Sequence, residues 1–372
     1  MHALTITGPG RMERREVPPP ALPPGECRIA VRLAGICRTD LELAKGYMGF
    51  TGIPGHEFVG TVLEGPENLQ GRRVVGEINV PRDLRRFSTP GYDARHEPER
   101  TVLGILHRPG AFAEQLTLPP ECLYAVPDSI HDEEAVFVEP LAAALQILEQ
   151  IHVPPGEKAL VIGDGKLGLL IAQVLARHGC RTFLHGHHEK KLALARRWGV
   201  NTNISWATIE HTTEEPTLVD SDDPEDQEIL RGLMELAEEE EAFHDRERAA
   251  GRDPHRIHPS DKFPLVVEAT GSPAGFASAL AWVQPRGTIV LKSTYAPEAL
   301  PALDAAKIVV DEVRIVGSRC GRFAPALRLL AQGAVDVRAL IDHRVSFERV
   351  VEGFELAARK GVLKVLVQFP AP

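Results

Sequence analysis

The chain has 372 residues, 43% of them hydrophobic and 25% charged, and a formal net charge of −10. This length suits two domains rather than one compact core, and the composition is that of a folded globular protein, not a disordered one. The acidic balance argues against a nucleic-acid partner, because phosphate binding requires a surplus of Lys and Arg on one face. We therefore expect a small-molecule substrate.

The sequence also argues against a membrane or secreted protein. No apolar run is long enough to span a bilayer, and the segment Met1 to Arg15 lacks the apolar stretch of a signal peptide. The five cysteines are scattered without paired spacing, unlike those of a secreted disulfide framework. We expect a cytoplasmic protein with no membrane partner, in which the cysteines other than Cys37 are buried thiols.

Two regions differ in their hydrophobic pattern. The first third has short β-branched runs separated by turn residues and predicts a mostly β domain, whereas strands and helices alternate after about Glu139, which indicates a doubly wound parallel sheet. A polar, acidic stretch at about 209–261 is predicted to be a solvated insertion at the sheet edge. The predicted strands lie at 27–33, 58–63, 73–78, 158–162, 182–185, 265–268, 288–291 and 314–317, a helix lies at 166–178, and the tail 345–369 rejoins the first domain.

The segment VIGDGKLG at 161–168 is a G-x-G-x-x-G motif that follows a predicted strand and opens a predicted helix. The first glycine permits a tight turn, the second lets the backbone approach a pyrophosphate, and the third allows close helix–strand packing. The helix N-terminus adds amide donors and a positive dipole. The motif predicts dinucleotide binding by the residues Gly163, Gly165, Lys166, Leu167 and Gly168.

The end of the second strand bears on the choice of cofactor. An NAD-specific fold usually carries Asp or Glu there to bind the ribose hydroxyls, whereas this chain has Gly186. Glycine removes the repulsion of a 2′-phosphate and makes room for it, and His187, His188 and Lys190 can offer donors. We predict a preference for NADP over NAD of about tenfold or more. The alternative is that Glu189 reaches back to the ribose and restores a preference for NAD.

Three separate segments carry metal-ligand residue types: GICRTD at 35–40, GHEFVG at 55–60 and VEPL at 138–141. Thiolate, imidazole and carboxylate groups are all zinc donors, and three protein ligands leave a fourth position open for a substrate. With these motifs the chain resembles the zinc-dependent alcohol dehydrogenases of the medium-chain dehydrogenase/reductase family over nearly its whole length.

The resemblance implies an α/β protein of two domains. A GroES-like, mostly β catalytic domain is expected at 1–140 and 316–372, and a Rossmann domain with a doubly wound parallel sheet is expected at 141–315. The structural zinc lobe of the family requires four closely spaced cysteines, and the matching stretch 79–101 contains none. We therefore expect no structural zinc, the alternative being an ion bound by His96 and Glu97.

The resemblance further implies one catalytic zinc, bound by Cys37, His56 and Glu139. A glutamate in an E-P motif is a feature of the polyol, threonine and glucose dehydrogenase branches, and some of their members use the adjacent glutamate, here Glu57. Either carboxylate is therefore a candidate ligand. Asp40 is similar to the carboxylate that orients the ligating histidine, the alternative being a turn cap.

Three nearby residues resemble parts of the family's proton path and cofactor contacts. Thr39 matches the hydroxyl that passes the alcohol proton toward the cofactor ribose. Glu42 stands where many relatives have the histidine that ends this relay, so either Glu42 or water is the terminal base. Arg38 resembles the residue that contacts the pyrophosphate, the alternative being a surface arginine.

The resemblance as a whole implies a homodimeric or homotetrameric zinc oxidoreductase. It would transfer a hydride between a secondary alcohol, polyol or sugar and NADP, with NAD as the other candidate cofactor. Two alternatives stay open: a zinc-free quinone or enoyl reductase of the same fold, and a non-catalytic NADP-binding regulatory protein. The Cys37 and His56 pair argues against the first alternative, whereas Glu42 and the missing cysteines are the only features in favour of the second.

Overall fold

The structure is a computed structural model that describes residues 1–88, 92–204, 261–294 and 304–370. The strands are β1 (His2–Gly8), β2 (Arg11–Glu16), β3 (Cys27–Gly35), β4 (Glu57–Glu64), β5 (Arg73–Gly76), β6 (Asn79–Val80), β7 (Thr101–Leu103), β8 (His107–Arg108), β9 (Gln115–Leu118), β10 (Leu123–Ala125), β11 (Lys158–Ile162), β12 (Arg181–Gly186), β13 (Asn201–Ile204), β14 (Phe263–Glu268), β15 (Val283–Leu291), β16 (Arg314–Gly317), β17 (Ile341–Ser346) and β18 (Lys364–Gln368). The helices are α1 (Arg38–Ala44), α2 (Asp132–Ala135), α3 (Val138–Gln150), α4 (Lys166–Arg177), α5 (Glu189–Arg196), α6 (Pro273–Trp282), α7 (Ala305–Val310), α8 (Phe323–Ala331) and α9 (Val350–Ala357).

The first half is built on a β-sheet around β3. Its strand order is β10-β5-β4-β3-β18-β17, and β9 also pairs with β3. Seven of the nine residues of β3 are buried, as expected for a strand covered on both faces. Strand β18 pairs antiparallel to β3, so the C-terminal segment lies in the sheet of the first half of the fold.

The second half is a six-stranded parallel sheet with the order β13-β12-β11-β14-β15-β16. Side chains alternate along β11: Ala159 and Val161 belong to the core with α3 and α4, whereas Leu160 and Ile162 belong to the core with α6. Helices therefore cover both faces, and the prediction of an α/β protein with a doubly wound sheet is confirmed.

Two sequence predictions concern the extent of the second half of the fold. The last strand of the parallel sheet runs to Gly317, so the expected domain boundary at 315 divides β16. The predicted insertion at about 209–261 lies outside the described residues, apart from Asp261. None of the described helices has the length and apolar character needed to cross a membrane.

Polar contacts hold the described part of the lobe at 79–101. Arg82 pairs with Glu99 at 2.7 Å, Arg95 pairs with Asp93 at 2.6 Å, and the Tyr92 hydroxyl donates to the Glu97 carboxylate at 2.5 Å. The last contact engages the carboxylate that the alternative zinc site at His96 and Glu97 would need. The expectation of a lobe without structural zinc stays a prediction.

One histidine of the parallel sheet is half-buried and is held in its neutral form. His185 on β12 lies with its ring edge against Trp282, at a centroid distance of 4.8 Å. Its Nδ1 is buried and has no hydrogen-bond partner among the described residues. Burial and the neighbouring His187 lower the pKa of His185 to about 4, and Asp164 opposes them only in part.

The low pKa of His185 predicts that the folded protein loses stability in acid. Between pH values of about 6.5 and about 4, the unfolded chain binds a proton on this ring and the folded chain does not, so stability falls as the pH falls. The variant His185→Phe keeps the aromatic contact and should avoid this loss, which is about 2–3 kcal/mol near pH 4.5. Chemical unfolding at neutral and acid pH measures it. The variant His152→Asn, at an exposed position, should behave as wild type, and an unchanged pH dependence in His185→Phe would contradict the assignment.

Candidate active site

Cys37 is held at the junction between β3 and α1. It stands one residue before α1 with an extended backbone, and its N–H donates to Asp40 Oδ2 at 2.8 Å. The other oxygen of the same carboxylate, Oδ1, lies 3.3 Å from His56 Nδ1. Asp40 is fully buried, so it caps the helix and faces the histidine at once. Both roles that the sequence allows for Asp40 are therefore present in the geometry.

His56 directly precedes β4 and is only 3% exposed. Its Nδ1 and Asp40 Oδ1 have no geometrically sound hydrogen bond with any described residue, although they face each other. Burial lowers the pKa of His56, but Asp40 and Cys37 outweigh it and raise this pKa well above the ordinary value. A small rotation of the ring would give Nδ1 a carboxylate partner and leave Nε2 for a metal.

Cys37, His56 and Glu57 form a cluster of potential metal ligands. One ligand atom from each residue lies within 4.8 Å of the other two. Burial raises the pKa of the Cys37 thiol, but Lys166 and His56 outweigh this effect and bring the pKa down to about 5. The thiol is therefore deprotonated at neutral pH, the state in which cysteine binds zinc. A thiolate, an imidazole and a carboxylate at this spacing suit a Zn²⁺ ion.

Glu57 is engaged by two lysines that the sequence did not predict as its partners. Its Oε1 lies 2.9 Å from Lys166 Nζ, and its Oε2 forms an ion pair with Lys364 Nζ. The side chains of Glu57 and Lys364 are both without solvent exposure. The signal that could have revealed this contact is that Lys364 is the single charged residue of the apolar strand β18, since a buried charge of this kind requires a partner.

Glu139 is the second residue of α3 and is half-buried. Burial raises the pKa of its carboxyl, with an opposing effect from His56, so Glu139 lies within electrostatic range of the cluster. It stands outside the group of atoms within 4.8 Å of one another. Among the described residues its carboxylate has no hydrogen-bond partner, which distinguishes it from Glu57.

The structure brings Thr39 to the cluster but not Arg38 or Glu42. Thr39 Oγ1 lies 4.0 Å from Cys37 Sγ. Glu42 instead contacts Arg38 Nε at 2.8 Å and Lys45 Nζ at 3.1 Å. Burial raises the pKa of Glu42, but these two cations outweigh it and lower this pKa overall. In this arrangement Glu42 is a poor proton acceptor, and the Arg38 side chain, which is 79% exposed, pairs with it on the helix surface.

The G-x-G-x-x-G segment has the geometry that its glycines predict. Gly163 has a φ of +114°, a conformation that favours glycine. A Cβ at Gly168 would lie 1.8 Å from the carbonyl oxygen of Gly163, whereas a Cβ at Gly165 would meet no atom within 4 Å. The open space at Gly165 suits a pyrophosphate at the N-terminus of α4. Lys166 directs its amine to Glu57, and Leu167 packs against the core.

The turn after β12 differs from the open turn that its glycine predicts. Gly186 does not make room for a 2′-phosphate, because a Cβ there would lie 2.6 Å from Asp164 Cβ. The Asp164 carboxylate fills this space and accepts hydrogen bonds from the N–H groups of His187 and His188, at 2.8 and 2.7 Å. Burial raises the pKa of Asp164, but these donors and the His188 ring lower it overall.

The remaining charged groups of this turn are also placed. Glu189 forms an ion pair with Arg196 at 2.7 Å, and Arg196 Nε donates to Thr202 at 2.8 Å. The alternative in which Glu189 reaches back to the ribose is therefore not the arrangement observed. Lys190 is exposed at the start of α5, and the His188 ring lies 3.0 Å from Asp164.

Comparisons with known proteins agree with this geometry. Residues 23–128 match the family model described as "Alcohol dehydrogenase GroES-like domain", and residues 167–332 match "Zinc-binding dehydrogenase". D-arabinitol dehydrogenase 1 of Uromyces fabae is 28% identical over 94% of this chain and 91% of its own length. Sorbitol dehydrogenase of Mus musculus is 26% identical over 98% of this chain and 95% of its own length.

A solved structure supports the fold. The 2R,3R-butanediol dehydrogenase of Bacillus subtilis superimposes with a TM-score of 0.75, at 23% identity, over 100% of this chain and 99% of that one. The chain belongs to the medium-chain dehydrogenase/reductase family, in the branch of the alcohol and polyol dehydrogenases. It is an oxidoreductase of the alcohol dehydrogenase type.

Gly165 and Gly168, at the N-terminal end of α4, give a matched pair of variants. Gly168→Ala places a methyl group on the Gly163 carbonyl and should lower the free energy of unfolding by about 1–3 kcal/mol. Gly165→Ala meets no atom of the protein and should change stability by less than about 1 kcal/mol, but it fills the space for the pyrophosphate. We expect its Kd for the reduced cofactor to rise about tenfold or more. Unfolding curves and fluorescence titration measure both effects, and wild-type cofactor affinity in Gly165→Ala would refute this placement.

Proposed function

We propose that this protein is a zinc- and NADP-dependent dehydrogenase of secondary alcohols, polyols or sugars. The observation that carries the proposal is the convergence of Cys37, His56 and Glu57 within 4.8 Å, next to the G-x-G-x-x-G loop. The similarity to D-arabinitol and sorbitol dehydrogenases supports the substrate class. We also expect a cytoplasmic location.

The proposed zinc ligands are Cys37, His56 and a carboxylate. Glu139 is the better candidate for the resting site, because both oxygens of Glu57 contact lysines whereas the Glu139 carboxylate has no hydrogen-bond partner among the described residues. Glu57 is close enough to Cys37 and His56 to take its place. Asp40 orients His56 in either case.

The residues around the cluster would share the work of alcohol oxidation. When bound, zinc supplies a Lewis acid for the substrate oxygen, and the nicotinamide supplies the hydride acceptor. Thr39 lies beside Cys37, and we propose that its hydroxyl accepts the alcohol proton while it passes its own proton on. Because Glu42 is paired with Arg38 and Lys45, we propose water as the next proton acceptor.

The proposed preference for NADP also depends on the turn after β12. Its physical reason is the set of contacts in this turn and not open space at Gly186. The Asp164 carboxylate accepts from the N–H groups of His187 and His188, and Glu189 pairs with Arg196, so contacts within the turn offset part of the negative charge that each would present to a 2′-phosphate. The exposed amine of Lys190 and the ring of His188 are the nearby groups that a 2′-phosphate would attract.

We further propose a homodimer or homotetramer that uses the edge of the parallel sheet. Strand β16 is an edge strand of this sheet among the described residues. Three large apolar side chains are exposed on and before it: Val309 is 74% exposed, Val310 is 79% exposed and Ile315 is 37% exposed. Exposed apolar groups gathered at a strand edge favour association with a second copy.

Removal of the thiolate tests the metal proposal. The purified protein should contain about one zinc per chain, and Cys37→Ser should lower both the zinc content and the activity at least about tenfold, because a hydroxyl is a much weaker zinc ligand. Cys180→Ala removes a buried thiol outside the cluster and is the control. Elemental analysis and alcohol oxidation are the measurements. Full alcohol oxidation by a metal-free wild type would contradict the zinc proposal. A metal-free protein that reduces quinones or enones but oxidises no alcohol would favour the zinc-free reductase, and one that binds NADP without either activity would favour the regulatory alternative.

Side-by-side kinetics test the cofactor proposal. We expect kcat/KM with NADP to exceed that with NAD about tenfold or more, equivalent to about 1.4 kcal/mol. Lys190→Gln should reduce this ratio, whereas Lys158→Gln, at the opposite end of the parallel sheet, should leave it unchanged. A higher kcat/KM with NAD would contradict the preference.

A further inference from the structure

Lys166 belongs to the cofactor loop by its backbone and to the proposed metal site by its side chain. It follows Gly165 as the first residue of α4, the helix whose N-terminus is expected to face the pyrophosphate. Its Nζ nevertheless lies 2.9 Å from Oε1 of Glu57, the first residue of β4 and 109 positions earlier in the chain. One side chain therefore lies between the two proposed binding sites.

The two lysines that contact Glu57 differ in their accessibility. Lys364 Nζ pairs with Oε2 without any solvent exposure, lies 3.4 Å from the Ile36 carbonyl oxygen and is 5.4 Å from the ring centre of Phe137. The Lys166 side chain is 12% exposed, and among the described residues Glu57 is the one hydrogen-bond partner of its amine. Of the two lysines, Lys166 is therefore the one whose amine a ligand can reach.

The amine of Lys166 has donors left for a second acceptor. An ammonium group carries three donors on a flexible stem, and one of them meets Glu57. A Cβ at Gly165 would meet no atom within 4 Å, so there is open space at the start of α4. Lysines of phosphate-binding loops commonly contact the phosphates. A pyrophosphate at this helix end would bring further negative charge close to an amine that now contacts a single carboxylate.

The contact with Lys166 restricts what Glu57 can do at the proposed metal site. Each oxygen of Glu57 contacts an ammonium group, so neither can bind an ion without giving up an ion pair. Distance is not the obstacle, because one ligand atom each of Cys37, His56 and Glu57 lies within 4.8 Å of the other two. The ion pairs of Glu57 therefore decide whether it is available as a ligand.

We propose that Lys166 is a positioning residue that keeps Glu57 off the metal ion while the nucleotide site is empty. The inference rests on the zinc and nucleotide sites of the proposed function. When the phosphates of the nucleotide bind at α4, the amine of Lys166 turns to them, and Glu57 Oε1 is free to bind the ion beside Cys37 and His56. Nucleotide binding thereby strengthens zinc binding, and the pyrophosphate is the part of the nucleotide that causes the effect.

The pyrophosphate part of the nucleotide can be tested by itself. ADP-ribose and its 2′-phosphate carry the pyrophosphate but no nicotinamide, so neither places that ring beside the metal. Calorimetry first establishes their binding, and the Kd for zinc is then measured by competition with a chelating dye, with and without each compound at saturation. We expect bound ADP-ribose or its 2′-phosphate to lower this Kd about fivefold or more. Adenosine 2′-phosphate, which lacks the pyrophosphate, should change it less than about twofold.

Matched variants assign the effect to Lys166. Lys166→Met should bind zinc more tightly than the wild type when no nucleotide is present, and bound ADP-ribose should then change the Kd less than about twofold. Lys158→Met makes the same substitution at an exposed residue at the opposite end of the parallel sheet and should behave as the wild type. An effect of ADP-ribose in Lys166→Met as large as in the wild type would overturn the role of Lys166.

Cobalt distinguishes a change of ligands from a simple loss of positive charge near the ion. Co²⁺ bound in place of zinc has visible absorption bands that depend on the number and geometry of its ligands. Bound ADP-ribose should change these bands in the wild type, and Lys166→Met should show the changed spectrum without any nucleotide. A variant that binds the ion more tightly but keeps the spectrum of the nucleotide-free wild type would contradict the proposal, since the lost charge alone explains that result.

The wild-type measurements also separate this inference from the proposed function. If bound ADP-ribose changes neither the zinc Kd nor the cobalt spectrum of the wild type, the inference is overturned whether or not the variants fold, and alcohol oxidation with zinc and NADP still stands. If both change but no alcohol is oxidised, the inference is supported and only the proposed reaction is contradicted. A wild type that binds no zinc or no nucleotide would refute both.

Discussion

The buried carboxylate of Glu57 is the constraint on which the rest of the site depends. A charge without solvent exposure needs compensation, and here it comes from Lys364 in the first sheet and from Lys166 at the start of α4. Removing one partner from such a group typically costs about 3–5 kcal/mol, because the remaining charge stays buried. Glu57 thus joins the two halves of the fold next to the Cys37 and His56 cluster. It does so in part through Lys166, a residue of the cofactor loop.

The lobe at 79–101 shows which contacts can support this part of the fold without the cysteines that a structural zinc requires. Ion pairs and a stacked arginine hold the described part of the lobe, with Arg86 4.5 Å from the ring centre of Tyr92. Arg95 also donates to the carbonyl oxygen of Cys320, in the segment after β16, so a lobe residue contacts the other half of the fold. One side chain therefore pairs with an acidic residue of the lobe and joins the lobe to the segment after the parallel sheet.

The sequence predicted local features well and long-range contacts poorly, for physical reasons. The strand at 158–162 and the glycines after it follow from periodicity and backbone conformation, which neighbouring residues determine. The contact of Asp164 with Gly186 joins residues far apart in the chain, and a glycine in the sequence does not reveal which side chain fills the space beside it. The motif assigns Lys166 to the cofactor, yet its amine contacts Glu57, a partner that only the folded chain brings near.

Gly165 and Lys166 are adjacent in the cofactor loop, but they lie next to two different proposed binding sites. Gly165 borders the open space at the helix N-terminus, whereas Lys166 contacts the carboxylate beside the proposed metal ligands. Any movement of this turn on nucleotide binding changes the electrostatic surroundings of Glu57, and so its availability to an ion. Linkage is reciprocal, so the factor by which nucleotide alters metal affinity equals the factor by which metal alters nucleotide affinity. The first turn of α4 is therefore the place at which the proposed metal and nucleotide sites would be coupled.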